Sequence, residues 1–348
     1  MAQTPVVLID DQDPELGYLC PSYFERGAES SYNGTFATTE ALGNACSNGW
    51  WNYSFQGTGI HVAAILLAQA PLYTVKLDDG DFEPQVGGGS YFSPTIPDGK
   101  HTITYALPNS GISLPLLDYL AITPGPSTPL LGRTLAVDDT DNSMSFSGSW
   151  STLLPALKTK SPSLYRATAH WSSTVGDSLQ FTFMGSSVSV FGIAANISLG
   201  NITTSYNLDG VSSTSGLPQG TIDSAPFVEL FRADTESGTH TLTVDITGIQ
   251  PSQALGIDFI TYKASFDSIS SLSDPSSAQH HGTLSTGSKI GITLGVLALT
   301  AILAGFLLLI RRRYRQPKNT KFRIYDSFET GDKKSTFPMQ IGKQTYQL

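Results

Sequence analysis

The sequence predicts an all-β ectodomain of two tandem antiparallel β-sandwich domains, followed by one transmembrane α-helix and a disordered tail. Three observations predict it. Stretches such as Leu179–Phe183 and Val188–Ile193 alternate apolar and polar residues, so one face packs inward while the other meets solvent. Several stretches recur in the same order along the chain. A run of 21 uncharged residues stands at Ile290–Ile310.

The recurrences define the units. GKHTIT at Gly99–Thr104 returns as GTHTLT at Gly238–Thr243, 139 positions on. The acidic start Leu8–Asp13 matches Ala136–Asp141, and Phe55–Val62 matches Phe183–Val190, both at an offset of 128. A turn at Leu77–Gly80 answers Leu208–Gly210, and Leu117–Ile122 answers Ile257–Tyr262 at 140. The offset grows only between pairs, as loop insertions would make it. The chain therefore carries two copies of a unit of about 115 to 130 residues. In each hexapeptide a turn glycine leads into a half-buried strand whose outward threonines suit a sheet. Neither unit shows an amphipathic helix of three turns, and short strands between turn residues argue for a sandwich.

In order, repeat one covers 6–123, with Val6–Ile9 as its first strand, and a Pro-rich connector covers 124–134. Proline content makes the connector read as stiff and extended. Repeat two covers 135–264, and a Ser-rich stalk without periodicity covers 265–289, too poor in apolar residues to fold. The helix takes 290–310 and a basic cytoplasmic tail 311–348.

As a helix the uncharged run would be about 31 Å long, enough for the hydrocarbon core of a bilayer. Arg311–Arg315 follows it directly, so the C-terminus is expected in the cytoplasm and the N-terminal ectodomain outside the plasma membrane. Charge supports the division: residues 1–289 carry a net −16 and residues 290–348 a net +7. The acidic ectodomain excludes nucleic acid as a partner; the basic tail suits anionic lipid headgroups of the bilayer. Four N-glycosylation sequons, at Asn33, Asn52, Asn196 and Asn201, all lie on the outer side. Gly291 and Gly295 have the spacing that lets two membrane helices approach, which makes a homodimer through the helix an option. Tyr325–Phe328 has the pattern of a sorting signal. The N-terminus has no basic segment before its short apolar run and does not read as a signal peptide; either the span directs insertion or the gene starts upstream.

Cys20 and Cys46 both fall in repeat one. In an oxidising compartment they read as one disulfide, worth about 3 kcal/mol, with two separate thiols as the alternative.

The recurring V/I-D-D-x-D, F-x-G-[ST]-x-[IV]-x-V, D-G, G-x-H-T-[IL]-T and [LI]-D-[YF]-[LI] motifs together resemble jelly-roll domains of the galactose-binding-like type. With the stalk, span and Arg cluster, residues 6–315 resemble the single-pass surface proteins of mushroom-forming fungi. The resemblance implies fold and placement rather than an activity.

Chemistry is sparse. There is no HExxH, GxSxG, phosphate loop or Cys/His metal spacing, so the chain is expected not to be an enzyme. No cofactor is expected, with calcium the one option. Asp10 and Asp118 in repeat one, and Asp138 and Asp258 in repeat two, come from first and last strands, and such hard oxygens suit Ca²⁺. The resemblance adds that some carbohydrate-binding jelly rolls hold calcium there. The alternative is that these aspartates bond turn amides. Trp50, Trp51, Tyr53, Trp150 and Trp171 are candidates to stack on a sugar ring. The expected function is a single-pass cell-surface glycoprotein whose two modules bind cell-wall carbohydrate or a surface protein, as adhesin or sensor. A carbohydrate esterase or hydrolase on the same fold, or a structural spacer, are the alternatives.

Overall fold

The computed structural model describes residues 5–27, 30–39, 45–66, 73–85, 88–108, 115–155 and 164–272. Most of the expected stalk, the membrane span, Gly291, Gly295, the sorting pattern and the tail lie outside the described residues. Among the described residues no helix is long and apolar enough to cross a membrane.

What is described is all-β, with single 3-10 turns between strands. Repeat one supplies β1 (Val6–Asp10), β2 (Gly17–Tyr18), β3 (Tyr23–Arg26), β4 (Thr35–Thr38), β5 (Trp51–Gly57) and β6 (Gly59–Leu66). It continues with β7 (Tyr73–Leu77), β8 (Glu83–Gln85), β9 (Tyr91–Phe92), β10 (Gly99–Ala106) and β11 (Pro115–Thr123). Repeat two supplies β12 (Thr134–Asp138), β13 (Met144–Ser147), β14 (His170–Ser172), β15 (Ser178–Ala195), β16 (Thr203–Leu208), β17 (Val211–Gly216), β18 (Val228–Gly248) and β19 (Ala254–Ala264).

One sheet runs β2-β5-β10-β7-β8, and its inward residues Trp51, Tyr73 and Tyr105 stack at centroid distances of 5.3 and 4.9 Å. These three rings and Trp50 are buried, which the alternation of β5 dictates: Trp51, Tyr53 and Phe55 face inward, while Asn52 and Ser54 face out. A disulfide joins Cys20 to Cys46 beside this core, with Cα atoms 5.5 Å apart.

The larger sheet crosses both repeats. Its path is β17-β16-β18-β15-β19-β12-β1-β11-β4-β3. The join is β1 against β12, antiparallel, with Val6 opposite Ala136 and Val7 opposite Leu135. Above the join lies an apolar cluster from both repeats: Val6, Tyr32 and Tyr119 from one, Tyr165, Phe191 and Phe259 from the other. Tyr32 and Phe191 are 5.6 Å apart, Phe191 and Phe259 stack at 4.6 Å.

The connector differs from its expected form. Its prolines do not extend it; Thr128 N–H closes a turn on Gly125 O at 3.1 Å, and Ser127 N–H donates to Asp98 at 2.8 Å. Leu130 is fully buried beyond that turn. Folded structure also continues past Ala264, because Phe266 is buried and Leu130 N–H donates to Asp267 O at 2.9 Å.

The F-x-G motif has a steric reason. A Cβ on Gly57 would stand 2.6 Å from Thr123 O, and one on Gly185 would stand 2.7 Å from Lys263 O. Here the chain passes against the end of the last strand, too close for any side chain.

Candidate functional site

The paired acids define one end of each repeat. Asp118 in β11 accepts the Tyr32 N–H at 2.8 Å, and Asp258 in β19 accepts the Tyr165 N–H at 3.1 and 3.2 Å. Each carboxyl thus pins a tight turn, Tyr32–Gly34 or Tyr165–Ala167. Burial pushes both carboxyls well above the usual range, with the neighbouring aspartates adding to the rise. Asp138 takes the Thr140 hydroxyl, and Asp139 takes the Thr168 hydroxyl at 2.6 Å and His170 Nδ1 at 2.6 Å. Asp11 takes the Thr35 hydroxyl at 2.7 Å.

The four expected calcium ligands, Asp10, Asp118, Asp138 and Asp258, are therefore brought toward one end of their repeats but are engaged by protein donors. The buried oxygens Asp10 Oδ1 and Asp11 Oδ2 take no hydrogen bond. Burial raises both carboxyls. Among the described residues no group of three His, Cys, Asp or Glu converges as metal ligands do. This arrangement does not fit a calcium shell.

The sequons occupy varied places. Asn33 and Asn201 are exposed. Asn52 is half-buried in β5, its Oδ1 filling the space above Gly17, and Asn196 Nδ2 donates to Ser252 O at 2.7 Å.

The aromatic candidates turn out to be core. Trp50, Trp51, Tyr53 and Trp171 are buried, and Trp150 packs on Phe146 while its Nε1–H donates to Ser178 O at 3.0 Å. An exposed aromatic site lies elsewhere. β6 and β9 of repeat one, with the Leu164–Ala167 and Pro226–Phe227 segments of repeat two, enclose a groove of about 1030 Å³. On one wall His61 and Phe92 are cross-strand partners whose rings lie parallel within 6°, 3.9 Å apart. Phe92 is 71% exposed. Repeat two places Ser189 opposite Arg232 at the equivalent pair, so this platform is specific to repeat one.

His61 is neutral. Its Nε2 lies 3.1 Å from Ser90 Oγ, which itself donates to Val62 O at 3.0 Å. The Ser90 proton is thereby committed, and Nε2–H is the donor to Oγ. Burial, then the nearby Arg166 charge, hold the imidazole down at about 4.

The opposite wall is strained. Arg166, Ala167 and Phe227 line the groove with φ of 49°, 65° and 57°. Left-handed backbone costs non-glycine residues of order 1–3 kcal/mol each and survives where surrounding structure imposes it, often at ligand clamps. Asp258 holds the Tyr165 N–H directly before the first two. In repeat one the second such position is Gly34, which adopts φ 69° without penalty. Repeat two keeps an alanine there. Motif spacing held no sign of the groove, because its walls come from segments about 70 to 165 residues apart that only the tertiary fold joins.

No protein-family model matches this chain, and no curated protein matches it. Several solved structures are similar in fold. A family two carbohydrate esterase from Cellvibrio japonicus matches at 15% identity and TM-score 0.29, covering 39% of this chain and 35% of its own. The tandem CBM22-1-CBM22-2 domain of Paenibacillus barcinonensis Xyn10C matches at 12% identity and TM-score 0.24, covering 75% of this chain and 98% of its own. The catalytic domain of a GH87 alpha-1,3-glucanase matches at 12% identity and TM-score 0.26, covering 39% of this chain and 29% of its own. At these scores the likeness assigns no activity. It does correct one expectation: esterase and glucanase catalytic domains stand among the similar structures, so the expectation that the chain is not an enzyme is withdrawn. Absent motifs could not carry it, since catalytic sets are recognised by geometry and not by spacing.

Proposed function

We propose that this protein recognises carbohydrate, with the groove between the repeats as its site. One observation carries the reading: the exposed Phe92 ring, held flat on neutral His61 at 3.9 Å. A flat, rigid aromatic face offers the C–H face of a sugar a large contact area at little entropic cost. Thr58, Ser93 and Thr95 line the same groove and supply hydroxyls for orientation, as a few polar groups do in apolar sites. Phe92→Ala should weaken oligosaccharide binding at least tenfold without changing the melting temperature. Undiminished affinity in that variant would sink the reading.

A second reading rests on the Ser90–His61 pair. At 3.1 Å the two could act as nucleophile and base in ester hydrolysis once the neutral imidazole carries its proton on Nδ1 and the Ser90 hydroxyl turns from Val62 O to donate to Nε2. Release of acetate from an acetylated polysaccharide, abolished by Ser90→Ala, is the required result.

We further propose display on the cell surface through Ile290–Ile310, supported by Arg311–Arg315 behind it. A tag after Leu348 should be inaccessible to protease in intact cells while the ectodomain is digested. The homodimer through Gly291 and Gly295 is part of the same proposal.

A further inference from the structure

The groove carries its charge in one place. Among its lining residues Arg166 is the one permanent cation, His61 is neutral and Asp118 is the one acid. Burial pushes the Asp118 carboxyl well above its usual range, toward the uncharged form. The Arg166 guanidinium lies 5.6 Å from the Tyr165 ring centroid and hydrogen-bonds that side chain. It is exposed and near enough to Asp138 to favour the charged form of that carboxyl, and its five N–H donors allow a planar anion to be taken beside existing partners.

The repeat-one counterpart shows that the fold does not need a cation here. Asn33 occupies the same turn at φ 52° and uses its side chain on Asp10 of its own repeat. Repeat two puts an arginine in that strained position and aims it into the groove, next to a second strained residue. The Tyr165 ring, 5.6 Å away, marks where the guanidinium is presented.

We propose that the groove selects saccharides bearing a carboxylate, with a uronate seated against Arg166 while a neighbouring sugar ring lies on Phe92. The inference rests on the carbohydrate reading above. Residues 1–289 carry a net −16, so a densely charged polyanion is repelled by the surface as a whole. The fitting ligand is a largely neutral chain with an isolated uronate.

The test uses the full chain and two probes, a tetrasaccharide bearing one glucuronate and the same tetrasaccharide after carboxyl reduction. Wild type should bind the glucuronate form at least about tenfold more tightly, the size expected for a hydrogen bond to a charged group, and added salt should narrow the gap. Arg166→Gln should erase the preference, so that both probes bind alike; Arg166→Lys should keep part of it. Phe92→Ala should weaken both probes alike. Equal binding of both probes by wild type, still dependent on Phe92, overturns the uronate inference and leaves the carbohydrate reading standing. An Arg166→Gln chain that keeps the preference overturns it too. If wild type binds neither probe, both fall.

Discussion

The His101 imidazole is clasped by Asp78: Nδ1 lies 2.7 Å from Asp78 Oδ2 while Nε2 lies 2.9 Å from Pro97 O. Both ring nitrogens face acceptors, so both must donate, and the ring is an imidazolium. Repeat two builds the same clasp, with His240 Nδ1 2.5 Å from Asp209 and Nε2 2.7 Å from Glu236 O. Each aspartate sits at the left-handed turn position, φ 55° and 53°, and its other oxygen takes the N–H of Thr102 or Thr241 at 2.8 or 2.9 Å. The near-identical hexapeptides are the strand halves of these clasps.

Stability should therefore fall as pH rises past neutrality. The Asp78 hydrogen bond raises His101; burial opposes a charge on His240, but the Asp209 and Glu236 bonds outweigh it and raise that ring also. A raised histidine binds more protons folded than unfolded above about pH 6.5, so its contribution is full below that pH and lost above. Asp11 acts in the same direction: burial, with Asp10 beside it, lifts its carboxyl to about 7, so stability falls between about pH 4 and 7 as that proton is lost. His61, held at about 4, opposes this between about pH 4 and 6.5. Melting temperature measured from pH 4.5 to 8.5 should decline toward the alkaline end, and the His101→Gln/His240→Gln double variant should flatten the upper part. A wild-type profile rising through pH 8 would refute the clasp.

Removing the buried turn anchors should be expensive. Asp258→Ala strands the Tyr165 N–H and should destabilise by about 1–3 kcal/mol, the cost of an unpaired buried donor. Asp258→Asn keeps an acceptor and should cost less. The two variants are compared by urea unfolding; equal losses would mean that the bond to the Tyr165 N–H is not what holds the turn.

A chelator should leave wild-type melting unchanged. Asp118, Asp138 and Asp258 are already satisfied by N–H and hydroxyl donors. A drop in melting temperature, restored by calcium, would return the cation to the site.

Gly185→Ala should destabilise by about 1–3 kcal/mol or more, because its Cβ would meet Lys263 O at 2.7 Å and a backbone atom cannot swing aside. Gly57→Ala, facing Thr123 O, should behave alike. Variants that melt as wild type does would mean the strand crossing is looser than drawn.

Reduction of Cys20–Cys46 should cost about 3.5 kcal/mol by loop entropy for its separation of 26 residues. Differential melting with and without reductant checks it.

Much of the local structure was legible because it is local. The alternating strands of both hexapeptides stand where the pattern puts them. But Gly238, expected in a turn, lies inside β18 opposite Gly185, and the aspartates that clasp the histidines come from 23 and 31 residues back, across intervening strands. The β1–β12 join was not legible, since only two residue pairs fix it and nothing in Val6 or Ala136 announces an intermolecular-looking edge pairing. The connector misled because proline stiffness says nothing about the Asp98 and Thr128 bonds that fold it. Exposure of aromatics was equally hidden. Trp51 and Phe92 are both strand aromatics, and only the layer above each decides which one meets solvent.

That β1–β12 join has a consequence for anything that enters the groove. One wall, β6 and β9, belongs to the sheet that runs on through the join into repeat two, and the other packs through Tyr165 and Phe227 on the aromatic cluster that both repeats share, so their spacing is set before a ligand arrives. Binding then requires no closure of one repeat onto the other, and the ordering cost falls mainly on the ligand. Association should be governed by encounter and orientation, with stiff saccharides favoured over flexible ones of the same composition.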